Sequence, residues 1–209
     1  MTKKRQPAKT YDVHPGIAMV QTWINSLKDR TGRSLAEWLV LIQKNGPADE
    51  AGRNAWLKAE HGFGTNNAAW LAARASGKKL EDEDPAAYLK VACQYVEDMY
   101  VKKPALRPIN DRLIEIGRGM AADIKVCPCK TMVPLFRSHV IAQIKPATNS
   151  RIDFGLALGK HKGKMPKRLI DTGGREKKDR ITHRIPLTSV QEIDDEVTRW
   201  LKIAYDYDA

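Results

Sequence analysis

Along the first third of the chain, apolar residues fall at helical spacing. Ile17, Val20, Trp23, Ile24 and Leu27 form a stripe after Pro15-Gly16, and Gly32 is the expected stop. Ser34-Leu35-Ala36-Glu37 has the form of a capping box, in which the serine accepts from the third amide while the glutamate reaches back. Leu35, Trp38, Leu39 and Ile42 continue that helix until Asn45-Gly46-Pro47 ends it, and Pro47 sets φ for the next start. A third helix carries Ala51, Ala55, Trp56 and Leu57. The turn His61-Gly62-Phe63-Gly64 then leads into a fourth, with Ala68, Trp70, Leu71 and Ala75, closed by Gly77. One tryptophan per helix (Trp23, Trp38, Trp56, Trp70) predicts a compact bundle with indoles in its core, since each ring buries a large area.

The polar stretch Lys78 to Pro85 changes charge sign midway and ends in proline, as domain linkers do. Beyond it, Tyr88, Val91, Ala92, Tyr95, Val96 and Met99 share a helical face, Pro104 and Pro108 break the chain, and Ile109, Leu113, Ile116 and Met120 mark another helix. The period then becomes strand-like over Asp123 to Val133, His139 to Lys145, Arg151 to Leu158 and Arg180 to Leu187, with 146–150 joining the second and third strands as a hairpin. Ser189 to Glu192 again has capping-box spacing, and the helix it is expected to open turns Val190, Ile193, Val197, Trp200, Leu201 and Ala204 inward. The fold class predicted is α+β: an all-α four-helix domain followed by an antiparallel sheet with helices on one face. Its divisions are a basic tail (1–10), a helical domain (11–77), a linker (78–85) and an α+β domain (86–209).

Composition changes this picture in one respect. The chain of 209 residues has 42% apolar and 29% charged residues, enough for two cores and a solvated surface. No run approaches the roughly 20 apolar residues of a membrane span, and no apolar stretch follows the basic start as in a secretory signal. Three cysteines, with Cys127 and Cys129 too close for an easy disulfide, point to a reducing cytoplasm. The net charge of +11, however, is segmental. Lys3, Lys4, Arg5 and Lys9 supply four of these charges, and Lys160 to Arg184, with ten Lys/Arg against Asp171, Glu176 and Asp179, supplies the other seven. A tail and one glycine- and lysine-rich stretch can thus serve a polyanion; the plainer reading is a solvated loop.

Two segments are candidate sites. Gly62-Phe63-Gly64-Thr65-Asn66 is similar to the hairpin of helix-hairpin-helix DNA-binding modules, in which glycines permit a tight turn and amides at a helix N-terminus meet a phosphate. Thr65 and Asn66 would cap the helix or hold the anion. Glu60 and His61 depart from that motif, and the competing reading is a turn that uses glycine for close packing. The second segment holds Lys160, Lys162, Lys164, Lys167, Arg168, Arg175, Lys177 and Lys178. It has no aromatic residue for base stacking, so it argues for sequence-independent, salt-dependent contact. Gly173-Gly174 lacks the phosphate-loop pattern. Cys127-Pro128-Cys129 is too closely spaced for a zinc pair, and its cysteines are read as small buried residues. His139 and His183 are read as structural, and Ser138, His139 and Asp153 lack the nucleophile elbow that would make them a triad.

Thr31-Gly32-Arg33-Ser34, Glu37-Trp38, Trp56-Leu57-Lys58 and His61-Gly62-Phe63-Gly64 resemble a small bacterial family of unknown function that is often fused to a second uncharacterised domain. Ile144-Lys145-Pro146, Ile152 to Leu158, and Ile193 to Val197 through Ala204-Tyr205 resemble that partner, which is distantly similar to the YdhG-like domains. Some of those carry an iron-chaperone label, but no acidic cluster here matches a metal site. The resemblance implies no activity, no cofactor and no catalytic residue. The expectation is a non-enzymatic binding or adaptor protein with nucleic acid or another polyanion as partner. The alternative is a small-molecule or metal-binding module that uses the sheet face of the second domain.

Overall fold

A computed structural model describes residues 11–209, so the tail cations Lys3, Lys4, Arg5 and Lys9 lie outside the described residues. Contacts divide the described chain into two compact units, His14–Tyr88 on one hand and residues 11–13 with Leu89–Ala209 on the other. The architecture is α+β, as the period change predicts.

The first unit holds α1 (Pro15–Thr31), α2 (Leu35–Asn45), α3 (Glu50–His61) and α4 (Thr65–Ala75). The capping box is present in full: Ser34 Oγ accepts from the Glu37 amide, and Glu37 Oε2 accepts from the Ser34 amide. Gly32 ends α1 at φ +77°, a left-handed conformation that glycine adopts without strain. Pro47 falls short of the next helix, which Asp49 caps through the Gly52 amide. The core is built from Leu27, Trp38, Ile42, Leu57, Ala68, Leu71, Ala72 and Ala75. Only Trp38 is fully enclosed, with its indole N–H on Thr31 Oγ1 at 2.8 Å. Trp23, Trp56 and Trp70 cover the rim, Trp23 meeting Trp70 edge to face at 5.1 Å. Residues 78–85 belong to this unit. They contain one 3-10 turn (Leu80–Asp82), and Glu83 receives Gln21 Nε2 and Arg74 Nε.

The second unit contains most of α5 (Pro85–Tyr100), α6 (Arg107–Met120), six strands and α7 (Asp195–Asp206). Pro108 sits in the first turn of α6, where its missing N–H has no intrahelical partner to lose. The strands β1 (Lys125–Val126), β2 (Val133–Phe136), β3 (Val140–Lys145), β4 (Ile152–Leu156), β5 (Ile170–Asp171) and β6 (His183–Leu187) form one antiparallel sheet, ordered β1-β2-β3-β4-β6-β5. Register makes one face apolar. Val133, Ile144, Phe154 and Ile185 run across it in one row, and Leu135, Ala142 and Leu156 in the next. Helices α6 and α7 cover that face. The outer face is polar: Gln143, Gly155 and Arg184 are cross-strand neighbours, as are Lys145 and Asp153.

Two expectations are corrected, and one strand is additional. Asp123 to Val133 is not one strand, because the chain reverses after Pro128, with Cys129 N donating to Met132 O, and pairs with itself as β1 and β2. Strand β5, two residues within a lysine-rich stretch, is too short to show alternation. Ser189 caps nothing. Its segment is a 3-10 turn, Glu192 accepts from the Thr188 amide, and α7 starts later, with Asp194 accepting from Val197 N at 3.1 Å. Asp194→Ala is therefore expected to destabilise α7 by about 1 kcal/mol, while Ser189→Ala changes stability by less than about 0.5 kcal/mol. Urea denaturation with hydrogen exchange of the α7 amides checks the contrast, and equal effects would assign the cap wrongly.

Candidate functional site

The basic segment folds back on itself between β4 and β6. Thr172 N donates to Thr182 O, and Asp179 N to Gly174 O, which closes the returning half. Arg175 Nη2 donates to the His161 carbonyl at 3.1 Å, drawing the 160–168 and 173–180 halves together. Lys162, Lys164, Lys167, Lys177 and Lys178 are exposed and form no ion pair among the described residues. Arg168 differs. Its guanidinium is committed to Asp194, Glu196 and the Glu192 carbonyl, so it holds the segment to the start of α7. Lys160 Nζ donates to the Tyr207 carbonyl at 2.5 Å.

Behind the segment lies a cavity of 280 Å³, lined by Ala157, Gly159, Lys160, Arg175, Asp179, Arg180, Thr182, Ala204 and Tyr207. Its rear anchor is Asp208, whose side chain is only 3% exposed. Asp208 accepts from the His139 amide at 2.7 Å and from Arg180 Nη2 at 2.5 Å, and lies 3.0 Å from His139 Nδ1. Burial raises the Asp208 carboxyl, but these donors and the Arg180 charge outweigh it and hold the group below the usual carboxylate range. A second cavity, of 210 Å³, opens on the outer sheet face. Gln143, Lys145, Asp153, Gly155 and Arg184 form its floor, and Thr172, Gly174, Lys177, Asp179 and Ile181 overhang it. Asp153 there is held by Arg151 at 2.9 Å and Arg184 at 2.8 Å.

In the helical unit, Gly62 takes φ +67° and ends α3, with Phe63 N donating to Leu57 O. A Cβ at Gly62 or Gly64 would meet nothing within 4 Å, so close packing explains neither glycine. Gly64 is the N-cap of α4 and offers no side-chain acceptor. Thr65 and Asn66 stand exposed in the first turn, and neither hydroxyl nor amide side chain caps it.

Cys127 is buried, with its thiol donating to Val13 O at 3.6 Å. Burial, then the nearby Asp12 and Cys129, pushes it up to about 12, so it stays protonated. Cys127 and Cys129 lie beyond the end of β1 and not on a strand, and among the described residues no three His, Cys, Asp or Glu side chains cluster as metal ligands. His139 and Asp153 are not brought together, since one faces Asp208 and the other faces arginines. No described helix is long and apolar enough to cross a membrane.

Residues 96–208, more than half the chain, match the family described as Domain of unknown function (DUF5655). The chain belongs to that family. Residues 19–77 match a second, Domain of unknown function (DUF4287), so the chain joins two distinct uncharacterised domains. No curated protein and no solved structure matches it.

Arg180, Thr182, Tyr207 and Asp208 line or anchor the first cavity of this DUF5655 domain without a local motif. One signal was available: Asp208 continues the inward stripe Val197, Leu201, Ala204 by four more residues, and a carboxylate in that register must find donors. The folded Asp208 titrates below its unfolded value of about 3.9, so its stabilisation is complete above that pH and is lost as pH falls through the folded value. Asp208→Asn is expected to cost about 1.5–3 kcal/mol at neutral pH and to flatten the acid side of the stability profile. Urea titrations between about pH 5 and 2 measure both, and an unchanged profile counts against this role.

Proposed function

We propose that this protein is a non-enzymatic binding protein whose DUF5655 domain holds a nucleic acid or another polyanion on the segment from Gly159 to Arg180. The observation that carries the reading is the set of lysines 162, 164, 167, 177 and 178, exposed and without acidic partners among the described residues, on a segment whose halves Arg175 ties together. A polyanion that neutralises them releases counterions, which makes affinity salt-dependent. The turn at Gly62 and Gly64 adds open amides at the start of α4 as a second contact of the same kind.

Fluorescence anisotropy of the full chain with short single-stranded and duplex DNA across a salt series tests this. If each of the five lysines meets one phosphate, log K falls against log [salt] with a slope of about −3.5 on single strands. Replacing Lys162, Lys164, Lys177 and Lys178 by Gln reduces that slope to about −0.7. Binding absent at low salt, or indifferent to salt, overturns the proposal.

The outer-face cavity favours a second reading, a small-molecule module. Gln143, Lys145, Asp153, Thr172 and Arg184 place charges of both signs around a space of 210 Å³, and the distant likeness to YdhG-like domains supports use of that face. A small-molecule screen by amide NMR distinguishes the two readings, because a ligand on the outer face shifts Gln143, Gly155 and Arg184 without Lys162, Lys164 and Lys167, which a polyanion on the segment shifts.

A further inference from the structure

We propose that the cavity behind the lysine segment is a phosphomonoester site, taking either the terminal phosphate of a nucleic acid or a free phosphorylated small molecule. Three cations converge on it from separate places in the chain: Lys160 after β4, Arg175 at the segment's return and Arg180 before β6. Among the described residues two of them are held by neutral groups alone, Lys160 by the Tyr207 carbonyl and Arg175 by the His161 carbonyl, so their charge is oriented but not cancelled. Arg180 has a carboxylate partner, Asp208, which fixes its guanidinium from behind.

The lining carries these three cations against one carboxylate, Asp179, whose Oδ1 accepts from the Ile181 amide at 3.0 Å. Two positive charges remain, of which Asp208 offsets one. A phosphomonoester presents three terminal acceptor oxygens and a phosphodiester only two, so three converging cations are better matched by the monoester. Two guanidiniums supply forked donors that match such oxygens, and the ammonium adds a point charge. Thr182 and Tyr207 also line the wall; Thr182 Oγ1 is engaged by the Leu158 amide at 3.2 Å and lies 3.0 Å from His183 Nδ1, and the Tyr207 hydroxyl lies 3.0 Å from His161 Nδ1. Ala157, Gly159 and Ala204 make the rest of the wall small and apolar. At 280 Å³ the cavity falls just short of the range of small-molecule sites, which begins at about 300 Å³. It suits a phosphate with part of its ester group rather than a whole duplex end.

The inference rests on the polyanion reading in one respect only: when the phosphate terminates a strand, the lysine segment holds the rest of that strand. Anisotropy of the full-length protein with one single-stranded oligonucleotide, carrying either a 5′-phosphate or a 5′-hydroxyl, reads the end preference. The phosphorylated strand is expected to bind about tenfold tighter, the scale of one charge-assisted hydrogen bond. Lys160→Met and Arg175→Gln should each bring the ratio of the two affinities to about one, whatever their effect on the 5′-hydroxyl strand. Lys177→Gln should weaken both strands alike. If Arg175→Gln melts early, Lys160→Met alone carries the comparison.

Calorimetry with AMP and with inorganic phosphate distinguishes the source of the phosphate. AMP binding that Lys160→Met abolishes, with no end preference between strands, assigns the site to free phosphorylated small molecules. Equal binding of both strands together with no AMP binding overturns the inference and leaves the polyanion reading standing. AMP binding with no strand binding at any salt overturns the polyanion reading and leaves the pocket standing. A preference that survives Lys160→Met places the end elsewhere and overturns the inference.

Discussion

The sheet unit depends on the satisfaction of one buried carboxylate. Asp208, next to last in the chain, is enclosed beside the first residues of β3 and the segment before β6. An unpaired carboxylate there would cost several kcal/mol, so its donors must all be in place together. The His139 amide and ring and the Arg180 guanidinium supply them from two different strand ends. The turn after α7 is thereby fixed to the sheet, and Tyr207 with it. The carbonyl of Tyr207 meets Lys160 and its hydroxyl meets His161, so the last residues organise the beginning of the lysine segment, while Asp208 organises its end through Arg180.

Against this anchor the cations of the segment separate by use. Arg168 is spent on Asp194, Glu196 and a carbonyl, and helps to define where α7 begins. Lys160, Arg175 and Arg180 are oriented around a cavity. The remaining lysines are exposed and form no ion pair among the described residues. A charge excess that looks uniform along the segment is thus divided by tertiary contact into structural, pocket and surface charge. The chemistry follows the division: an arginine between two carboxylates is poorly placed to meet an anion, and one held only by a carbonyl keeps its field.

On the opposite side of the sheet the same segment overhangs a polar face built by register. Gly155 matters there: a Cβ would lie 2.6 Å from Ile181 Cγ2 and 2.8 Å from Gln143 Cγ, so the bare backbone lets the returning segment approach the strands. A side chain at this position would push Ile181 away and open the groove. The segment between β4 and β6 therefore borders two cavities, with Asp179 lining both.

Much of the fold was legible because it rests on local physics. The Ser34–Glu37 box, the left-handed stop at Gly32, the four tryptophan helices and the alternation of Ile152, Phe154 and Leu156 are determined by residues within a turn or two of each other. The sequence also located the basic excess, since charge is additive along a chain. It could not divide that excess or choose between Ser189 and Asp194 as a cap, because both choices depend on where Arg168 and Glu192 find partners. The reversal that makes β1 and β2 from one apparent strand, the two-residue β5 and the Asp208 anchor likewise arise from pairings between distant residues. Local spacing sets which residues face inward. Only the closed sheet decides which charge meets which, since a buried carboxylate is satisfied by whatever donors the tertiary structure brings within reach.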